Sequence, residues 1–248
     1  MEVHAHAHDH GKKSWRSYFW EFLMLFLAVF CGFLAENQRE HMIEHQREKK
    51  YINSLINDVA LDIISLKQAS DVRKRYINYY DSLVYLLKEH NDSDLNDIYY
   101  YARHAGKTTD FKYHDGTIQQ LKSSGSLRLI RNKNVADSII IYDNEIIKVI
   151  LSQQEVYESK FRINIMENHF GKIFNAYVWN GMVNDTAAIS RTSGNPKLFN
   201  SDPKLINDFA IQLITLKTSY RLTNGYIERA GHFAKNLIAF LKKEYHLE

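Results

Sequence analysis

Three groups of residues have the types and spacing that could do chemistry. The first is the N-terminal stretch MEVHAHAHDH, in which His4, His6, His8 and His10 alternate beside Asp9. Imidazoles this dense can take up zinc, copper or nickel. A tail without fixed geometry gives such binding little specificity, so incidental metal affinity is the plainer account. The second is His41-Met42-Ile43-Glu44-His45, which matches the H-x-x-E-H pattern of inverted zinc peptidases. On a helix His41 and His45 share a face with Glu44 adjacent, but the pattern needs a third ligand and a substrate cleft, and a surface ion-pair face is the far better account. The third is Glu21, at the edge of an apolar run. An ionisable group at membrane depth faces protein or water rather than lipid. His104, His114, His169 and His232 are isolated, and Ser123-Ser124-Gly125 reads as a helix end rather than a nucleophile. With no nucleophile–base pair, phosphate-binding glycine loop or redox motif, the expectation is a non-enzymatic protein without an obligatory cofactor.

The element that positions Glu21 is the run 17–35, SYFWEFLMLFLAVFCGFLA. Its uncharged part, 22–35, spans about 21 Å as a helix, and a bilayer core of about 30 Å needs about 20 residues. Inclusion of 17–21 closes the gap, with Tyr18, Phe19 and Trp20 at the interface, where amphipathic rings concentrate. No small-residue cleavage site precedes a new domain, so the run reads as a retained transmembrane helix. Glu21, Leu25, Ala28, Gly32 and Ala35 follow a 4-3-4-3 spacing and share one stripe. Ala28 and Gly32 form a small-xxx-small pair that lets membrane helices approach closely. The stripe predicts self-association with Glu21 in the interface; the alternative places Glu21 at headgroup level. Lys12, Lys13 and Arg16 before the run nearly balance Arg39, Arg47, Lys49 and Lys50 after it, so charge leaves orientation open.

Composition narrows the rest. The net charge of +3 and interspersed charges give no nucleic-acid footprint. The one cysteine, Cys31, lies in the apolar run, so the remainder has neither disulfide nor thiolate site. Only two prolines, Pro196 and Pro203, occur in 248 residues, which favours long helices. Sixteen tyrosines and thirteen phenylalanines supply bulky core material.

The fold class read from these patterns is all-α. A His-rich tail (1–16) precedes the transmembrane helix (17–35), a polar helical stalk (36–50) and an antiparallel helical bundle (51–248) with an irregular insertion at 171–201. Glu40, Glu44 and Glu48 support the stalk through i,i+4 pairs. Ile52, Leu55, Ile56, Val59, Ile63 and Leu66, then Tyr76, Ile77, Tyr80, Leu83, Val84 and Leu87, keep helical spacing, so one helix of about 110 Å is expected from 17 to 89. Asn91 to Asp94 forms a turn and cap for a helix at 95–105, and 106–114 a loop. Asp115 caps a helix ended by Gly125, and Leu127, Leu129 and Ile130 form a small apolar knot. Asn134 caps a helix at 135–170 whose apolar positions include Ile139, Tyr142, Ile146, Val149 and Ile150. Tyr177 and Trp179 pack as a lid. Asp202-Pro203 starts a last helix, 203–245, burying Leu205, Ile206, Phe209, Leu213, Leu216 and Tyr220.

Residues 20–55 and 117–146, including Glu21 and Leu121-Lys122-Ser123-Ser124-Gly125, resemble an uncharacterised family of small single-pass membrane proteins from Gram-negative bacteria. Residues 171–201 lie outside the resemblance. The resemblance implies no catalytic role. It implies a bacterial inner-membrane protein with a cytoplasmic N-terminus and a periplasmic helical domain. The expected function is an oligomeric scaffold or accessory subunit of the cell envelope, with lipid, a second copy and an envelope protein as partners. The alternatives are a small oligomeric channel with Glu21 as an intramembrane carboxylate and, remotely, a zinc hydrolase at 41–45.

Overall fold

No proline occurs among the 195 residues before Pro196, and the chain uses them to build long helices. The computed structural model describes residues 14–89, 95–107, 110–183 and 188–247. The histidines of the tail, His4, His6, His8 and His10, and the turn Asn91 to Asp94 lie outside them. Helix α1 is continuous over Trp15–Glu89. It is followed by α2 (Leu95–Ala105), α3 (Gly116–Ser123), a 3₁₀ turn (Ser126–Leu129), α4 (133–173), α5 (Ala176–Gly181) and α6 (Pro203–Glu244). The described residues contain no strand, only an isolated antiparallel bridge between Val183 and Ile189. Contacts divide the chain into two units, Met1–Lys50 and Tyr51–Glu248.

In the second unit, core positions on α1 fall at 52, 55, 59, 62, 66, 69, 73, 76, 80, 83 and 87, all buried. On α6 they fall at 206, 209, 213, 216, 220, 223, 227, 230, 234, 237 and 241, again all buried. Both series alternate steps of three and four, the 3.5-residue repeat that keeps one seam facing a partner helix. The pairs Lys74–Glu228 and Asp81–Arg221 show that α1 and α6 run antiparallel. Asp62–Tyr142 and Arg73–Glu158 show that α1 and α4 run parallel, while His169–Asp208 sets α4 antiparallel to α6. The short helices α2 and α3 lie between the ends of α1 and α4 in the chain and let α4 start again beside the beginning of the α1 core series.

Helix α4 follows a different rule. Apart from Tyr142, its buried positions fall in runs that step by four: 135, 139, 143 and 147, then 150, 154 and 158, then 165, 169 and 173. On a regular α-helix each step of four overshoots the buried face by about 40°. Wider turns absorb the drift, and α4 contains three π-helical segments, Tyr142–Ile147, Gln153–Glu158 and Met166–Phe170. Of the apolar positions here, Val149 is 37% exposed, while Ile147 takes the inward place at 0%.

Several boundaries also move. The cap of α4 is Asn132, whose Oδ1 accepts from Asn134 N (3.0 Å) and Val135 N (3.4 Å), so Asn134 lies inside the helix. Asp115 makes no side-chain cap; instead Asp58 of α1 accepts from Thr117 N at 2.9 Å, a partner 59 residues away. Residues 171–201 are not wholly irregular, because α4 continues to 173 and Asn175 caps α5. Trp179 packs on Phe170 and Phe174, with ring centroids 4.9 and 5.0 Å apart, but Tyr177 is 90% exposed and covers nothing. Gly125, with φ of 66°, adopts the left-handed conformation that follows α3, as its residue type requires. Asp202 caps α6 by accepting from Lys204 N (2.9 Å) and Leu205 N (3.0 Å). Asp202→Ala should cost about 1 kcal/mol of stability, read as a lower urea midpoint with an unchanged m-value.

Candidate functional site

In the first unit, α1 holds one stretch long and apolar enough to cross a membrane, with a mean hydropathy of 2.0 over 18 residues and none of that window buried. Glu21, Leu25, Ala28, Gly32 and Ala35 are all exposed on its surface. A methyl group built on Gly32 would meet nothing within 4 Å, so the chain itself leaves this stripe uncovered. The opposite face carries a feature that reading for small residues missed. Phe22, Phe26 and Phe30 stack in a ladder with centroids 6.3 and 5.8 Å apart. With Phe33 they lie about 100–180° around the helix from Glu21. Small side chains thus occupy one side of the helix and bulky rings the other.

The H-x-x-E-H residues pair along their own helix. His41 Nδ1 stands 3.8 Å from Glu44 Oε2, and His45 Nδ1 stands 3.3 Å from Glu48 Oε2. These are i,i+3 ion-pair geometries along one helix. No group of three His, Cys, Asp or Glu able to hold a metal occurs among the described residues.

The second unit contains the more distinctive site, a polar layer buried across the bundle. Its apolar core falls into two clusters. One gathers Ile52 to Ala69 of α1, Val135 to Ile150 of α4 and Ile227 to Leu241 of α6. The other gathers Tyr76 to Leu87, Ile165 to Ile173 and Ile206 to Tyr220 of the same helices. The layer between them is Ser70 and Arg73 on α1, Gln154 and Glu158 on α4, and Thr223 and Asn224 on α6, all buried. Arg73, fully buried, donates through Nη1 to Glu158 Oε1 at 2.7 Å. With the Gln154 amide oriented to face its donors, its oxygen accepts from Arg73 Nη2 and Phe111 N, each at 2.9 Å. The guanidinium carbon lies 4.7 Å above the Tyr220 ring. One cation is thus held by a carboxylate, an amide and an aromatic face, the set a buried guanidinium needs to offset its lost hydration.

Two further polar nodes lie on either side of this layer, and each also uses a π-helical segment of α4. In the first, Asp62 accepts from His114 N (2.8 Å) and Tyr142 Oη (2.8 Å), with His114 Nδ1 at 3.0 Å. Beside it, Asp143 accepts from Tyr113 Oη at 2.8 Å and from Lys122. Burial raises the Asp62 carboxyl above its usual range despite the hydrogen bonds it accepts. Burial also pushes Asp143 up, but hydrogen bonds from Lys122 and Tyr113 and the charges of Lys122 and Lys148 outweigh it, and its value is lowered. In the second node, buried His169 places Nε2 2.9 Å from Asp208 Oδ2. Every buried polar residue of α4 (Asp143, Gln154, Glu158 and His169) therefore sits in a widened turn.

His104 marks a fourth environment. It packs 4.8 Å from both Tyr79 and Tyr100, and Arg191 stacks 4.1 Å over Tyr100. Burial, with the charges of Lys107, Arg75 and Arg191, lowers its pKa to about 4.

None of these nodes was singled out from the sequence. The signal lay in the register: Asp62 and Arg73 fall on core positions of the α1 3-4 series, and Thr223 on that of α6. The partners of Asp62 and Arg73 are 52 to 85 residues away, which no local pattern reveals.

Two outcomes follow. Arg73→Met should destabilise the fold by about 3–5 kcal/mol by stranding Glu158, and adding Glu158→Leu should recover much of that loss; chemical denaturation of the single and double variants measures it. His104 binds a proton more readily unfolded, near its ordinary value of about 6.5, than folded, near 4. Its contribution is therefore present above about 6.5 and lost as pH falls toward 4, by about 1–2 kcal/mol after allowing for its partial exposure. His104→Phe should flatten that part of the stability–pH curve. No family model, curated protein or solved structure matches this chain.

Proposed function

We propose that the protein is a single-pass, membrane-anchored helical-bundle protein that assembles with copies of itself and serves as a non-enzymatic scaffold or accessory subunit. The observation that carries this reading is the two-sided apolar stretch of α1. Trp15, Phe22, Leu25, Val29 and Phe33 are each 65–83% exposed. Without a hydrocarbon solvent or a covering partner, so continuous an apolar surface would aggregate in water. The Phe22–Phe26–Phe30 ladder suits lipid, and the Glu21–Ala35 stripe, which ends in small residues, suits close helix approach. The sequence resemblance at 20–55 and 117–146 supports a bacterial inner-membrane location with the bundle in the periplasm. The bundle, with large buried aromatic and ionic nodes, provides a stiff body to present to an envelope partner.

Cells expressing the full chain should retain it in the membrane pellet after alkaline carbonate extraction, and the detergent-solubilised protein should run as an oligomer by native mass spectrometry. Gly32→Leu, which the single chain accommodates freely, should shift that oligomer toward monomer with an unchanged circular dichroism spectrum. Carbonate release would remove the anchor from the proposal; an unaltered oligomer in the Gly32 variant would remove the stripe. Glu21→Gln should leave assembly intact, whereas loss of proton or cation flux from reconstituted liposomes on that substitution would favour a channel.

A further inference from the structure

Helices α1 and α6 face each other along a groove in which charged levels recur every seven residues. Asp81 pairs with Arg221 at 3.1 Å. Seven residues earlier on α1 and seven later on α6, Lys74 pairs with Glu228 at 2.9 Å. Both helices keep the 3.5-residue repeat through this region, so the next level in the series sets Lys67 against Lys235. Two levels thus carry opposite charges, and the third carries two ammonium groups. Like charges brought opposite each other repel unless something between them answers the charge. Neither lysine pairs with a carboxylate among the described residues.

The chain also leaves room at that level. Lys67 and Lys235 line one pocket of about 230 Å³, with Ser70 on its wall and Ile63, Leu66 and Ile227 as its apolar floor. One water needs only ~10–15 Å³. Gly231 lines the same pocket from inside α6, where glycine weakens a helix relative to alanine. A methyl group built there would meet nothing within 4 Å, so packing within the chain does not call for a glycine. Of the two carboxylates in the wall, Glu228 is taken by Lys74 and by Asn224 Nδ2 at 3.1 Å, and the charge of Asp71 acts on Lys74. Lys67, Lys74 and Lys235 against Asp71 and Glu228 leave the pocket positive.

We propose that this pocket binds a phosphate monoester, with the phosphate between Lys67 and Lys235, the Ser70 hydroxyl donating to it, and a short organic part on Ile63, Leu66 and Ile227. A phosphate monoester carries about −1.5 to −2 charges at pH 7 and three acceptor oxygens, which suits two ammonium groups and one hydroxyl. Lysine serves such a group as a point charge. The ester completes the charge series of the α1–α6 groove at the level where the chain supplies no acid. This inference stands on the second unit alone and is independent of the membrane reading.

The test is calorimetric titration of the full-length protein in a neutral detergent, at fixed ionic strength, with inorganic phosphate and with butyl phosphate. Butyl phosphate should bind at least about fivefold more tightly, because its methylenes are buried on the apolar floor. Lys67→Gln and Lys235→Gln should each weaken it by about tenfold, the loss of one charged contact. Gly231→Leu, which the chain accommodates without a clash, should abolish binding with an unchanged circular dichroism spectrum. Lys243→Gln, outside the pocket, should leave the affinity unchanged. Binding that survives Gly231→Leu, that falls as far in Lys243→Gln as in the two pocket variants, or that is no tighter for butyl phosphate than for inorganic phosphate would each overturn the proposal. So would the absence of any binding heat. Should Gly231→Leu fail to fold, the two lysine variants carry the comparison, since both lysines are exposed. Repeating the butyl phosphate titration in phosphatidylcholine nanodiscs with and without phosphatidic acid distinguishes the sources of the group. Competition assigns it to a lipid headgroup and no competition to a soluble ester, and the site stands in both.

Discussion

The placement of the Arg73 charge constrains the rest of the soluble unit. A guanidinium in the middle of a helical bundle must be met from several sides at once. It is met by Glu158 and Gln154 of α4 and by the ring of Tyr220 of α6. That requirement fixes the register of three long helices relative to one another at one level. An apolar layer could slide by a turn at modest cost, because leucine and isoleucine are interchangeable contacts. An ion pair with an amide and an aromatic face cannot, since a slip leaves a buried charge unpaired. The two apolar clusters then pack outward from a level already set.

The widened turns of α4 follow from the same constraint. Helices α1 and α6 keep a 3-4 alternation and form a seam of the coiled-coil kind. The third helix fits beside that seam with core residues four apart. Its π-helical segments keep Asp143, Gln154, Glu158 and His169 facing partners on α1, α3 or α6 and on the loop before α3. Widened turns are often found where a polar side chain must be aimed into a core. Here three recur in one helix, each at a buried polar contact. Removing the polar residues would remove much of the reason for the turns.

The apolar stretch of α1 obeys a simpler physics. Its rings stack only on neighbours of the same helix and none of its 18-residue window is buried, so its environment must be supplied from outside. The division into a phenylalanine side and a small-residue side gives that outside two characters. In the bundle, by contrast, the long helices bury their core positions against one another.

The sequence by itself determined a good deal. Proline scarcity and apolar spacing dictated long helices, and the register of α1 and α6 was legible at Ile52, Leu55, Val59, Leu66, Phe209, Leu213 and Tyr220. Asp202-Pro203 marked the start of α6, because a cap and a proline act within one turn. The apolar run at 17–35 and its small-residue stripe were equally local. Only the tertiary structure decided that Asp58, not Asp115, caps α3, and that Asn132 rather than Asn134 opens α4. It alone showed that Val149 turns outward while Ile147 turns in, and that Tyr177 stands clear of the core. It alone joined Arg73 to Glu158 across 85 residues. The reason is common to these cases. Caps, helical period and apolar run length are energies between neighbours in the chain and are written in sequence, whereas the choice of a buried polar partner is an energy between helices and exists only once they pack.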